Sequence, residues 1–148
     1  MDKLINYLKR RGACAHALRW IQLTRCEDPI ALWDMCPCPD WLDWVVIEFY
    51  LDRPELNQRF MRWGVEQVTD KFTIPQLEAI TRLDLTFNGS DRFGFIACAY
   101  IRRIRTGTFD PSILVESGIA PAVVAEKIRS TYKERFLQWV ERSKHRWS

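Results

Sequence analysis

Apolar residues recur every three or four positions along most of this chain, a spacing that is typical of amphipathic helices. Leu4, Ile5 and Leu8 form the apolar stripe of a first helix, and Gly12 follows as a left-handed stop. A second helix is predicted over 13–24. The alternation that marks strands is weak throughout, and its only trace is the stretch 84–88.

Prolines mark the starts of the next helices. Asp28 followed by Pro29 predicts a capped helix that runs to Met35. After two further prolines, Asp40 is expected to cap a helix over 41–51. That helix is apolar on nearly all sides, so it is predicted to lie in the centre of the fold.

The remaining segments are also predicted to be helical, and they include a long C-terminal helix over about 120–146. The fold class is therefore all-α: a single-domain, compact bundle of about seven helices over 1–148, with a Trp-rich central core. A Trp/Cys module is assigned to 13–52. The other predicted helices cover 54–70, 77–85, 92–106 and 111–118.

Composition supports a folded chain with an uneven surface charge. Of its 148 residues 47% are hydrophobic and 13% aromatic, which is enough to form a core and argues against disorder. The segment 27–91 holds thirteen acids against five Lys or Arg, whereas both flanking segments are basic. Such polarity can steer a charged partner. The candidate protein-binding residues are the acids Asp34, Asp43, Glu48, Asp52 and Glu55.

Four of the seven tryptophans fall within 25 residues, among several cysteines. Asp40 is read as a helix cap, and the aromatic and thiol side chains as core packing. We therefore assign a structural role to Cys14, Trp20, Trp33, Cys36, Asp40, Trp41 and Trp44. The alternative is that the aromatic residues line a pocket for a nucleotide or another small molecule.

Motifs that carry chemistry are missing from the sequence. The cysteines lack a C-x-x-C knuckle, so no metal is predicted. Cys14 and His16 are two residues apart on one helix, so the imidazole points away from the thiol and does not serve as its base. No phosphate-binding glycine loop or H-E-x-x-H motif occurs. The protein is predicted not to be an enzyme and to need no cofactor.

A nucleic-acid-binding function is a further alternative. The segment 113–124, with Gly118 at its turn, has the rhythm of a helix-turn-helix, and Ala122, Ala125 and Glu126 would then face outward. An ordinary helix pair is the preferred interpretation. A phosphate-binding surface would use the basic residues Arg102, Arg103, Arg105, Lys127, Lys133, Arg142, Lys144 and Arg146.

The Trp/Cys module resembles a loosely defined family of small bacterial and phage proteins, some of which are labelled immunity proteins. The pattern is Ala13-Cys14, Trp20, Trp33-Asp34-Met35-Cys36 and Asp40-Trp41-Leu42-Asp43-Trp44. The resemblance implies a shared helical module. It also implies an inhibitor or immunity-type protein of phage or mobile-element character that acts by binding a host or mobile-element protein.

The location of the protein follows from what the sequence lacks. The first eleven residues alternate charged and apolar side chains and do not resemble a secretory signal. The longest apolar run is far too short to span a bilayer. Five cysteines, an odd count, suit a reducing compartment. We expect a cytoplasmic protein without membrane contact, and the oligomeric state stays open.

Overall fold

The computed structural model describes residues 2–68, 111–116 and 118–147. Within these residues the protein is all-α, as predicted, and contains no strand. The predicted helices at 77–85 and 92–106, and with them Arg102, Arg103 and Arg105, lie outside the described residues. The α-helices are α1 (Asp2–Arg10), α2 (Ala15–Thr24), α3 (Pro29–Met35), α4 (Pro39–Glu48), α5 (Pro54–Val68), α6 (Ser112–Glu116) and α7 (Pro121–Ser143), and a short 3-10 helix (Lys144–Arg146) follows.

The prolines predict where α3 and α4 begin better than the aspartates do, because both helices start at a proline. Asp28 caps α3 as predicted, because its side chain accepts a hydrogen bond from the N–H of Ile30. The predicted cap at Asp40 is wrong: α4 begins at Pro39, and Cys38 holds the cap position without a side-chain hydrogen bond. Since proline favours the first helical position, Asp40 falls within the first turn.

The long helix α7 is the axis of the fold, and α3, α4, α5 and α6 all pack against it. One apolar stripe of α7 is buried in the core. The buried stripe consists of Val124, Ile128, Tyr132, Phe136, Trp139 and Val140. The Tyr132 hydroxyl lies 2.5 Å from Oδ1 of Asn57, to which it donates a hydrogen bond, so α5 and α7 are joined by a polar contact inside the core.

Helix α4 is less central than its composition predicts. Leu42 and Val46 are buried against α7, whereas Trp41 and Trp44 are only half-buried and Ile47 is 50% exposed. One side of this apolar helix therefore belongs to the core. A second side borders the pocket described below, and a third faces outward.

The segment that suggested a helix-turn-helix folds as an ordinary connection into α7. The five-residue α6 ends before Gly118, whose φ of +101° suits glycine. Leu114 and Ala125 are fully buried, so Ala125 does not face outward as that motif would require. Ala122 and Glu126 are exposed. This arrangement supports the ordinary helix pair.

Helices α1 and α2 form a hairpin, and its side chains Leu4, Ile5 and Ile21 form a small apolar cluster together with Leu32 of α3. Two sets of side chains tie the hairpin to the other helices. At one end the ring of Tyr7 stacks on Phe49 at 6.2 Å, and the guanidinium of Arg11 lies 5.6 Å from the centre of the Phe49 ring. At the other end Trp20 contacts Trp41. None of the described helices combines the length and apolar character needed to cross a bilayer.

Candidate functional site

A pocket of about 430 Å³ lies between the α1–α2 hairpin and the helices α3, α4 and α7. We call it the tryptophan pocket. Its walls are almost entirely apolar, and four tryptophans of the predicted Trp/Cys module belong to them. The lining residues are Leu4, Leu8, Gly12, Ala13, Cys14, Ala17, Trp20, Ile21, Pro29, Leu32, Trp33, Cys36, Asp40, Trp41, Leu42, Trp44, Val45, Phe49, Phe136 and Trp139.

The floor of the pocket is a fixed part of the core. Trp33 is only 3% exposed and stacks on Phe136 with ring centres 4.4 Å apart. Its indole N–H donates to the backbone oxygen of Arg129 at 3.3 Å, and the Arg129 guanidinium donates to the backbone oxygen of Cys36. These bonds join α3 to α7 at the floor of the pocket.

The mouth of the pocket is formed by lining residues that are not fully buried. Trp20 and Trp41 meet with ring centres 5.8 Å apart and planes inclined at 46°. Trp44 stands edge-on to Phe49 at 5.6 Å. All three tryptophans are half-buried, because one side of each packs in the fold while the other borders the pocket. Exposed Gly12 and Cys14 belong to the same mouth.

Few polar groups reach the pocket. Asp40 is exposed at its mouth and is the one charged side chain among the described residues that line it. Cys14 is exposed and its Sγ accepts from the N–H of Ala17 at 3.5 Å, which caps α2. Because Cys36 is buried, its thiol has a pKa raised to about 11. Within the described ranges, no three His, Cys, Asp or Glu side chains come together as a metal site.

The residues assigned to structure thus fall into two groups. Trp33 and Cys36 are buried in the core and form the floor. The other five, which are Cys14, Trp20, Asp40, Trp41 and Trp44, line the mouth and are half-buried or exposed. Among these tryptophans, Trp20 and Trp41 contact each other. Trp33 stacks on Phe136 of α7, which the sequence pattern did not indicate.

The acidic residues proposed to bind a protein lie on several elements, and two of them already form ion pairs. Asp34 lies 2.5 Å from Nζ of Lys133, and Glu48 lies 3.2 Å from Nε of Arg11. Asp43 and Asp52 are half-buried, and Glu55 is exposed at the start of α5. The described contacts do not gather these five acids into one site.

The basic residues proposed to bind nucleic acid are also spread along α7 and beyond it. Lys127 sits over the ring of Trp63 at 5.7 Å, Lys133 pairs with Asp34, and Lys144 pairs with Glu141 at 2.8 Å. The remaining two described cations, Arg142 and Arg146, are exposed near the C-terminal end. Nucleic-acid binding stays a prediction.

Comparison of the chain with protein-family models, curated proteins and solved structures finds no significant match. The tryptophan pocket is therefore interpreted from its own geometry. The sequence feature that indicates the pocket is a run of small residues, which leave space opposite the large indole rings. These residues are Gly12, Ala13, Cys14 and Ala17.

Proposed function

We propose that this protein is a non-enzymatic binding protein whose tryptophan pocket holds a small, largely apolar molecule. The observation that carries the proposal is the pocket itself. Its volume of about 430 Å³ lies within the range of small-molecule sites, roughly 300–1,000 Å³. Such sites combine apolar and aromatic walls with a few polar groups, which describes the walls, Asp40 and the two thiols.

Imperfect packing of the core explains a space of this size less well than a binding pocket does. Protein interiors are packed as densely as crystals of small organic molecules, and they contain few voids larger than a water molecule. Here the rings of Trp41 and Trp44 lose dispersion contacts on the side that faces the pocket. A bound apolar molecule would restore those contacts and keep water off the walls.

The negative charge of Asp40 at the mouth disfavours anionic ligands. A nucleotide carries phosphates, and the carboxylate of Asp40 would repel them at the mouth of the pocket. The walls beyond Asp40 are apolar. The geometry therefore favours a small molecule without an anionic group over the nucleotide alternative.

The test uses N-phenyl-1-naphthylamine, a neutral dye that becomes fluorescent in apolar surroundings. We expect saturable binding of one dye per chain, with energy transfer from tryptophan. Bound dye should also slow the alkylation of Cys14 by N-ethylmaleimide, because Cys14 lines the mouth. Cys26, which is not among the lining residues, serves as the internal control in the same mass spectrum. Non-saturable binding, or equal protection of both thiols, would contradict the proposal.

A second candidate function is inhibition of a host or mobile-element protein, and one observation favours a protein contact at the end of α4. Tyr50 is 73% exposed there, and its φ of +56° is a left-handed conformation that costs a residue other than glycine about 1–2 kcal/mol. Ile47 beside it is 50% exposed, and Glu48, Asp52 and Glu55 lie close in sequence. Tyrosine is a frequent anchor of protein interfaces.

This second candidate is tested by affinity capture from host lysate with matched variants. Tyr50→Gly relieves the backbone conformation and removes the ring, and Arg25→Gly makes the same backbone change at φ +53° at the end of α2. We expect a stoichiometric partner to be lost with Tyr50→Gly and retained with Arg25→Gly. Equal capture by the two variants would place the contact elsewhere.

A further inference from the structure

We propose that the ligand of the tryptophan pocket carries an alkylammonium group, held at the mouth by Asp40 and the rings of Trp41 and Trp44. This inference rests on the proposed binding function and narrows its ligand class to apolar cations. It is carried by the charge at the mouth, by the arrangement of α4 and by the chemistry of indole rings.

The charge at the mouth is negative, and no cation among the described residues pairs with it. Asp40 is exposed, and none of the described residues offers it an ion pair or a side-chain hydrogen bond. It does not serve as the cap of α4, since Cys38 holds that position. Arg11, which follows α1, pairs instead with Glu48 and with the ring of Phe49 at the other end of α4. The carboxylate is therefore available to a cationic ligand.

The arrangement of α4 places this carboxylate beside aromatic rings. Asp40 and Trp44 are four residues apart on one helix, so they share a face with their Cβ atoms about 5–6 Å apart. Trp41 also lines the pocket, and Trp20 lies 5.8 Å from it. A group bound against these rings is thus within reach of the carboxylate.

Indole rings attract cations through the negative potential of their faces, and quaternary ammonium ligands are recognised in this way by aromatic cages. An alkylammonium group is weakly hydrated and has an apolar outer shell, so it enters an apolar pocket more readily than a bare ammonium does. The protein uses the same interaction internally, where Arg11 lies over Phe49 and Lys127 over Trp63. The rings at the mouth extend this chemistry to a ligand.

The test compares two probes of the same shape, phenyltrimethylammonium and tert-butylbenzene, which differ in charge. Binding is followed by the indole N–H signals of the tryptophans in two-dimensional NMR. The signals of Trp20, Trp41 and Trp44 are expected to shift. Trp63 belongs to α5 and does not line the pocket, so its signal serves as the control. We expect the cation to bind about tenfold more tightly than its neutral counterpart.

Variants of Asp40 separate the charge from the apolar walls. Asp40→Asn should lower the affinity for the cation about tenfold, to that for tert-butylbenzene, because it removes the charge and nearly keeps the size of the side chain. Asp40→Glu should retain the preference. Glu126→Gln, at an exposed acid of α7 that does not line the pocket, is the matched control and should behave as the wild type.

The outcomes distinguish this inference from the proposed function. If both probes bind with equal affinity, or if Asp40→Asn keeps the preference for the cation, the ammonium inference is overturned and the apolar pocket stands. If neither probe shifts the signals of the mouth tryptophans, the proposed function fails together with the inference. Shifts confined to Trp63 would place cation binding outside the pocket and overturn the inference as well.

Discussion

Asp28 and Asp40 both stand next to a proline at the start of a helix, yet only Asp28 caps. The order of the two residues decides this. Asp28 precedes its proline and takes the cap position, whereas Asp40 follows Pro39 and is carried into the first turn. From the sequence, both Asp28 and Asp40 are predicted to cap a helix. Whether the proline follows or precedes the aspartate distinguishes the residue that caps from the one that does not.

The first prediction compares alanine at these two positions. We expect Asp28→Ala to lower the free energy of unfolding by about 1 kcal/mol, because the N–H of Ile30 loses its acceptor. Asp40→Ala should cost about half as much, since only its interaction with the helix dipole is lost. Urea denaturation of both variants provides the measurement. Equal losses would mean that Asp40 acts as a cap in solution.

Cys36 gives a second prediction at the same scale, on alkaline stability. Burial raises the pKa of its thiol from the ordinary value of 9.0 to about 11. The folded state therefore keeps this proton at a pH at which the unfolded chain has released it. Stability from this residue is fully present below pH 9 and is lost as the pH rises toward 11, by about 2–3 kcal/mol in all.

The measurement is urea denaturation at several values of pH between 8 and 11, with Cys36→Ala as the comparison. The variant starts from a lower stability because it leaves a small cavity. Its curve should nevertheless fall less steeply with pH than that of the wild type. Parallel curves would show that the thiol of Cys36 ionises in the folded protein as it does in water.

At the scale of elements, the approach of α5 to α6 depends on a glycine. A Cβ atom added to Gly64 would lie 2.2 Å from Cδ2 of Leu114, a side chain that is fully buried. In the sequence Gly64 is an isolated glycine within a helical pattern, which by itself only weakens the helix. Position 64 needs a glycine because it contacts Leu114, which is fifty positions away in the sequence. Helix periodicity therefore predicts α5 but not its close approach to α6.

The third prediction follows from this contact. Gly64→Ala improves helix propensity by about 1 kcal/mol. Overpacking against Leu114 costs about 1–3 kcal/mol, so we expect a net loss of stability. In the background of Leu114→Ala, which makes room, the same change should become stabilising. A double-mutant cycle measured by thermal unfolding tests this, and additive effects would show that the two residues do not meet.

At the scale of the whole molecule, the sequence predicts the Trp-rich module, and it gives a pocket lined by aromatic residues only as an alternative to core packing. The helices and their prolines are local features, and the tryptophans are visible as a cluster. The space between them depends on how the α1–α2 hairpin rests on α4 and α7. That placement is set by contacts such as Arg11 with Glu48 and Trp20 with Trp41, which join distant segments. Helical periodicity carries no information on such contacts.

The last prediction is that this molecule gives up stability to keep its pocket open. Ala17 lines the pocket from α2, whereas Ala15 is exposed and does not line it. We expect Ala17→Leu to fill part of the space and raise the free energy of unfolding by about 0.5–2 kcal/mol, because cavity filling adds apolar contacts. The same change should weaken dye binding, while Ala15→Leu should alter neither property. If Ala17→Leu lowers stability, the pocket has no room for the added atoms in solution, and if dye binding is undiminished, the dye occupies another site.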